Sequence, residues 1–209
     1  DDRKAMKALP KFLGQALIAG VTAWLGVRVT CLGPNPVVNW LVTTLWIMTV
    51  INALNFFDNM DGLAGGTAMI AAFFLLFIAA IRGQHFVAML AAVTSGVSAG
   101  FLLHNAPPAR IFMGDTGALF LGFCIATLSI LGFKKATLVS FIVPLLIIGV
   151  PFVDTIFAII RRKLNKQPIS VADKGHLHHC LLRMGFSHRT TVFIIYGVSL
   201  LFSALAIVL

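Results

Sequence analysis

Residues 37–81 read VVNWLVTTLWIMTVINALNFFDNMDGLAGGTAMIAAFFLLFIAAI, and this stretch decides the class of fold. Two apolar runs, 37–56 and 63–81, are separated by only six residues, which include Asp58 and Asp61. A transmembrane helix needs about 20 mostly apolar residues. The stretch therefore predicts two membrane spans joined by a short polar turn.

The composition of the whole chain also indicates a membrane protein. Of its 209 residues, 59% are hydrophobic and only 11% are charged, whereas soluble domains usually carry about 25% charged residues. Apolar runs of spanning length occur at 12–30, 37–56, 63–81, 86–104, 116–133, 137–160 and 190–209. We therefore expect an all-α polytopic helical bundle with about seven transmembrane helices.

Lysine and arginine predict the orientation of these spans. Twelve of the 16 lie on the side that holds segments 1–11, 57–62, 105–115 and 161–189, and four lie on the other side. Short cytoplasmic loops carry an excess of Lys and Arg, so the first side is expected to be cytoplasmic. The net charge of +9 follows from this flanking pattern, and no nucleic-acid partner is expected.

All seven acidic residues are aspartates, and this topology places them at or near the cytoplasmic side. The first group is the pair Asp1-Asp2, followed by Lys11. Adjacent helical residues point about 100° apart, so one carboxylate is expected to contact a metal or substrate and the other to orient it. A solvated acidic chain end is the alternative.

The second group lies at the end of the run 37–56 and in the turn after it. Asn52 and Asn55 are three residues apart, as are Asp58 and Asp61, so each pair can share a helix face. Polar side chains at membrane depth are costly and indicate function. The alternative is that Asp61 merely caps the next helix.

The third group spans His104 to Gly117 and contains Asn105 and Asp115. Its two prolines predict an irregular backbone before the next span. Asp115 falls at the start of that span, where the helix N-terminus favours a negative charge. Helix capping is again the alternative role.

The basic segment contains Arg162 and the histidines His176, His178 and His179. Three histidines could bind zinc, which usually takes three or four ligands, but the surrounding cations favour an anion-binding role. Asp154 lies seven residues before Arg161 on the same helix face and is expected to form a structural ion pair that steadies this segment.

Taken together, these motifs resemble the polyprenyl-phosphate N-acetylhexosamine-1-phosphate transferases of glycosyltransferase family 4. The resemblance covers nearly the whole chain, and the spelling His176-Leu177-His178-His179 is similar to the common-antigen and teichoic-acid branch rather than to the peptidoglycan branch. Members of the family carry further transmembrane helices before the Asp-Asp motif, so the chain is expected to be an N-terminally truncated, single transmembrane phosphotransferase domain, 1–209, with a cytoplasmic basic loop at 161–189.

The resemblance implies transfer of a sugar 1-phosphate, N-acetylglucosamine 1-phosphate by default, from a UDP-sugar to a polyprenyl phosphate at the cytoplasmic face of a bacterial inner membrane. It implies Mg²⁺, with Mn²⁺ as a substitute, held by Asp115 with Asp58 or Asp2 nearby. The catalytic residues it implies are Asp1, Asp2, Asp58 and Asp115. The substrate-binding residues it implies are Lys11, Asn52, Asn55, Asp61, Asn105, Arg162, His176, His178 and His179.

Other classes of function stay open at this point. Aspartates in a membrane protein can relay protons in a transporter, although transporter sites usually lie near the bilayer midplane in repeated halves, and the sequence has no internal repeat. An inactive truncated copy is a further alternative. Assembly of the chain as a homodimer also stays open. An intramembrane metalloprotease with a His-Glu-x-x-His motif is excluded, because the chain has no glutamate.

Overall fold

The structure is a computed structural model that describes residues 8–30, 33–132, 145, 148–164 and 176–208. Within these residues the chain forms eight helices and no strand. The helices are α1 (Ala8–Trp24), α2 (Pro36–Phe57), α3 (Leu63–Ile81), α4 (His85–Asn105), α5 (Gly114–Leu131), α6 (Gly149–Leu164), α7 (Leu177–Arg183) and α8 (His188–Val208).

The all-α membrane bundle is confirmed. In the part of the chain that the structure describes, five helices are long and apolar enough to cross a membrane, namely α2, α3, α4, α5 and α8. They correspond to five of the seven predicted spans. The predicted span 137–160 begins outside the described residues, and its described part belongs to α6.

The predicted end of the first span, at residue 30, is wrong. Helix α1 ends at Trp24, and Gly26 then adopts a positive φ of 103° that breaks the helix. The Arg28 guanidinium donates hydrogen bonds to the carbonyls of Ala23 (2.6 Å) and Trp24 (3.0 Å). Residues 25–30 are mostly apolar, so hydropathy alone does not show where the helix ends. The end is produced by Gly26 and Arg28.

The predicted basic loop 161–189 is partly helical. Its first four residues continue α6 to Leu164, and Leu177–Arg183 form the short helix α7. Helix α8 begins at His188, two residues before the predicted span 190–209. Residues 165–175 lie outside the described residues.

Helix α2 occupies the centre of the described bundle. It packs against α1, α3, α5 and α6. Its buried residues cover more than half of the helix circumference, while apolar residues such as Leu41 and Leu45 are exposed on the remaining side. A helix that is apolar all round is typical of a buried position. The residues that follow its C-terminal end, beginning with Asp58, therefore start in the middle of the bundle.

Helices α2 and α5 approach each other at their backbones. A Cβ atom added to Gly122 would lie 2.7 Å from the Cα atom of Ile51. Ile51 precedes Asp58 by seven residues, and Gly122 follows Asp115 by seven, a distance of about 10 Å along each axis.

A second contact shows that the two helices run in opposite directions. The indole N–H of Trp46 donates to the Ser129 hydroxyl at 3.1 Å, and both residues lie farther from the two aspartates than the Gly122 contact does. The antiparallel crossing therefore brings Asp58 and Asp115 to the same end of the bundle.

Replacing Gly122 with alanine tests this close approach. Overpacking of this kind costs ~1–3 kcal/mol, so the Gly122→Ala protein should have a lower thermal unfolding midpoint in detergent than the parent. Gly96→Ala is the matched control, because Gly96 is also helical and an added Cβ there meets nothing within 4 Å. Alanine is favoured over glycine in a helix by about 1 kcal/mol, so the control should unfold at the same or a higher temperature. Equal midpoints for the two variants would contradict the contact.

Candidate active site

Asn105 joins the two polar turns at one end of the bundle. It is the last residue of α4 and only 4% exposed. Its Oδ1 accepts from the N–H of Gly62 at 3.0 Å, and its Nδ2 donates to the carbonyl of Ile111 at 2.8 Å. The side chain therefore orients the backbone of the second and third predicted motifs relative to each other.

Asp61 adds a second bond between the same two turns. Its Oδ2 accepts from the N–H of Ala109 at 3.0 Å. The N-cap position of α3 is Gly62, which has a φ of 77° and makes no side-chain cap bond. In the described structure Asp61 therefore bonds across to the neighbouring turn instead of serving as the simple cap that the sequence left open.

Helix α8 holds both turns from the other side. The Tyr196 hydroxyl donates to the carbonyl of Gly62, and Arg189 Nε donates to the carbonyl of Pro107 at 3.0 Å. A side chain at Gly66 would collide with Tyr196. Tyr196 is not among the residues predicted from the sequence, although it is the only tyrosine in the chain and a buried phenol usually needs a hydrogen-bond partner.

Lys11 and Asp115 form an ion pair between α1 and α5. Lys11 Nζ lies 2.7 Å from Asp115 Oδ2, and the two side chains are 20% and 35% exposed. Asp115 occupies the first turn of α5, where the helix dipole favours a carboxylate. The structure thus brings together two predicted site residues that are far apart in sequence and leaves both side chains partly exposed.

Gln15 aligns α1 with α2 and so supports the position of Lys11. Its Oε1 accepts from Asn52 Nδ2 at 2.7 Å. Lys11 lies four residues earlier, on the same helix face. Gln15 is not among the residues predicted from the sequence, where its one signal is that an uncharged polar residue stands inside an apolar run.

Asn55 and Asp58 stand at the end of α2. Asp58 is the C-cap residue, and its N–H donates to the carbonyl of Asn55 at 3.3 Å. The Oδ1 of Asn55 is buried and has no hydrogen-bond partner among the residues described. An orphaned acceptor next to Asp58 is a group that a bound donor could satisfy. Asp1 and Asp2, and with them that part of the predicted catalytic set, lie outside the described residues.

Phe56 connects this end of α2 to the basic segment. The Arg162 guanidinium lies 6.0 Å from the centre of the Phe56 ring, and the His176 ring lies 5.6 Å from it. Arg162 is 4% exposed. The basic segment is therefore adjacent to the turn that carries Asp58.

His176 is not placed as a phosphate ligand in the described structure. It is 3% exposed, and its Nδ1 lies 2.9 Å from Asp154 Oδ2. The expectation that Asp154 steadies the basic segment is confirmed, but its partner is His176 rather than a neighbouring arginine. The contact spans 22 residues, which helical spacing could not reveal.

His178 is buried and neutral at pH 7. It is 1% exposed, and neither ring nitrogen has a hydrogen-bond partner in the described ranges. Burial lowers the pKa of His178 from 6.5 to about 4; His179 and His176 act in the same direction and Asp154 opposes them. His178 can therefore offer one N–H to an anion but no positive charge.

The described residues hold no group of three His, Cys, Asp or Glu side chains arranged to bind a metal. A zinc site usually takes three or four protein ligands, whereas Mg²⁺ uses one or two carboxylates and takes its other ligands from water and substrate.

Comparison with known proteins shows the family to which the chain belongs. The chain matches the family model described as Glycosyl transferase family 4 over residues 1–133, and it belongs to this family. The match contains Lys11, both polar turns and Asp115, whereas His176, His178, His179 and α8 lie beyond it.

Individual relatives narrow the resemblance. The chain is 44% identical, over its whole length and 61% of the relative, to the probable undecaprenyl-phosphate N-acetylglucosaminyl 1-phosphate transferase of Bacillus subtilis. It is 34% identical, over 94% of the chain and 56% of the relative, to the decaprenyl-phosphate N-acetylglucosaminephosphotransferase of Mycolicibacterium smegmatis. A phospho-N-acetylmuramoyl-pentapeptide-transferase of Clostridioides difficile is also 34% identical, over 78% of the chain and 49% of the relative. The chain thus spans about 61% or less of these three relatives.

Asn105→Ala tests the link between the two turns. The change leaves the buried Gly62 N–H without its partner, at a cost of ~1–3 kcal/mol, and also removes the bond to the carbonyl of the exposed residue Ile111, so the thermal unfolding midpoint should fall clearly. Asn59→Ala is the control, because Asn59 is exposed and its side chain bonds locally, to the carbonyl of Phe56; a surface change usually costs less than about 0.5 kcal/mol. A drop of the same size in both variants would contradict the assigned role of Asn105.

The lowered pKa of His178 predicts a pH dependence of stability. Below its ordinary pKa of 6.5 the unfolded chain protonates this histidine, whereas the folded chain resists protonation down to about 4, so stability is lost as the pH falls through this window. His178→Gln should shrink the drop in unfolding midpoint between pH 7 and pH 5. His85→Gln, which changes an exposed histidine, should keep the full drop. An undiminished drop in His178→Gln would show that another group is responsible.

Proposed function

We propose that the protein containing this chain transfers a sugar 1-phosphate from a UDP-sugar to a polyprenyl phosphate and releases UMP. The observation that carries the proposal is the ion pair Lys11–Asp115, which stands at the same bundle end as Asp58, Asp61 and Asn105. Family membership and the printed names of the relatives support this reaction class, with N-acetylglucosamine as the default sugar. The excess of basic residues at this end supports a site on the cytoplasmic face of a bacterial inner membrane.

The charges at this end suit two anionic reactants. A phosphorylated lipid and a nucleotide diphosphate repel each other unless cations lie between them. Lys11 and Arg162 supply fixed positive charge, while Asp115 and Asp58 supply hard carboxylate oxygens. Mg²⁺, or Mn²⁺ in its place, fits this donor set and would be held by Asp115 and Asp58. When bound, such an ion neutralises the diphosphate and stabilises charge on the leaving group.

The transfer itself requires no general base. The second pKa of a phosphate monoester is about 6, so the lipid phosphate is mostly dianionic at pH 7. One of its oxygens attacks the phosphorus that bears the sugar, and the bond from that phosphorus to the UMP oxygen breaks, with the electron pair leaving on UMP. Lys11 and Arg162 hold phosphate oxygens in line, and Asn55 offers its orphaned Oδ1 to a donor on the substrate. The rival path, a covalent aspartyl phosphate, predicts a trappable phosphorylated aspartate.

UMP release is the direct test of this reaction. The full-length protein that carries this chain should release UMP from a UDP-N-acetylhexosamine only when undecaprenyl phosphate and Mg²⁺ are both supplied, with one prenyl-diphosphate sugar formed for each UMP. Failure to release UMP with any UDP-N-acetylhexosamine would overturn the proposal and favour a transporter or an inactive copy.

Asp115→Asn tests the assignment of the metal ligand in the same full-length protein. The amide keeps the shape of the carboxylate but loses its charge, so turnover should fall by roughly 100-fold or more, and the Mg²⁺ concentration needed for half of the residual rate should rise. An unchanged Mg²⁺ dependence would contradict the assignment even if turnover fell.

A further inference from the structure

Asp154 clamps the start of helix α7 with both of its carboxylate oxygens. Oδ2 lies 2.9 Å from His176 Nδ1, and Oδ1 accepts from the N–H of Leu177 at 2.8 Å. His176 is the N-cap residue of α7, and its own side chain makes no cap bond. The cap is therefore supplied by a carboxylate from another helix, 22 residues earlier in the chain.

Both partners of this clamp are buried. Asp154 is 7% exposed and His176 is 3% exposed. A buried carboxylate is costly unless it is paired and fully hydrogen-bonded, and here each oxygen has a partner. Helix α7 has only seven residues, too few for a stable isolated helix, so its position depends on anchors of this kind.

The clamp holds the first of three neighbouring histidine rings. The His176 and His178 rings stack with their centres 5.8 Å apart and their planes 4° apart, and the His178 and His179 centres are 4.2 Å apart. His176 also contacts Phe56, which in turn lies near Arg162. Moving His176 would therefore shift both later histidines relative to Arg162 and to the end of α2.

We propose that Asp154 is a positioning residue, which holds the rings of His178 and His179 in place through its clamp on His176 and Leu177. The proposal rests on the proposed function, since the ligand that this arrangement serves is the diphosphate of the UDP-sugar. Asp154 touches no substrate in this account. Asp154 determines the position of the segment that would bind the UDP-sugar. The carboxylates of Asp58 and Asp115 remain available to hold the metal ion.

This role has a kinetic signature that a general loss of stability does not share. Misplaced donor-binding groups should raise KM for the UDP-sugar by roughly 10- to 100-fold. The KM for the prenyl phosphate and the Mg²⁺ dependence should stay within about twofold. A purely structural defect would instead reduce the amount of active protein and lower the apparent kcat with every KM unchanged.

The kinetic experiment uses the full-length protein with Asp154→Asn, His176→Gln and the double variant. Each single variant should raise KM for the UDP-sugar, and the double variant should be no worse than the more severe single one, because both break the same contact. His85→Gln is the matched histidine control and should behave as the parent. Unchanged KM values with a lower kcat, or fully additive effects of the two changes, would overturn the proposal.

A labelling experiment tests the clamp without relying on activity. Cys180 is partly buried in α7, and with Cys31 and Cys124 replaced by serine it becomes the only cysteine in this chain. Asp154→Asn and His176→Gln should each speed the reaction of Cys180 with a maleimide, whereas His85→Gln should not. Unchanged labelling would overturn the clamp. Faster labelling in a protein whose parent releases no UMP would support the clamp and count against the proposed reaction instead.

Discussion

The contact between the backbones of α2 and α5 is the constraint on which the rest of the site depends. At Gly122 there is no room for even one carbon atom against Ile51, and that position acts as the fixed point of the antiparallel pair. Equal lengths of chain on either side of it carry Asp58 and Asp115 to one level. If the helices were spread there, the two carboxylates would move apart, whatever the turns between them did.

Around this crossing, polar contacts set the remaining distances. Asn105 holds the two turns together through their backbones. The pair Gln15–Asn52 sets the height of α1, which places Lys11 at Asp115. Within the described structure, several residues that the sequence predicts to bind substrate thus form hydrogen bonds that hold the helices and turns in place. Lys11 and Asp115 remain partly exposed.

Much of the fold and of the candidate site could be predicted from the sequence. The physical reasons for this also explain why some features could not be predicted. Apolar runs of about 20 residues predict spans, and polar residues at their ends predict a site, so the bundle and its polar end could be inferred. The end of α1 could not, because hydropathy does not register the positive φ of Gly26. The pairing of Asp154 with His176 and the contact of Tyr196 with Gly62 also escaped prediction, since they join residues 22 and 134 positions apart. The periodicity of a single sequence carries no information about contacts between residues so far apart.

The bond from Tyr196 to Gly62 has a consequence for how the protein is made. Helices enter the membrane roughly in the order of synthesis, and the ribosome adds ~5–20 residues each second. The turn that carries Asp61 is therefore complete many seconds before the tyrosine that braces it, 134 residues later, has been synthesised. Throughout that interval the nascent chain has its acidic turn without its brace. The docking of α8 is thus the step that supplies the Tyr196 hydrogen bond to this turn.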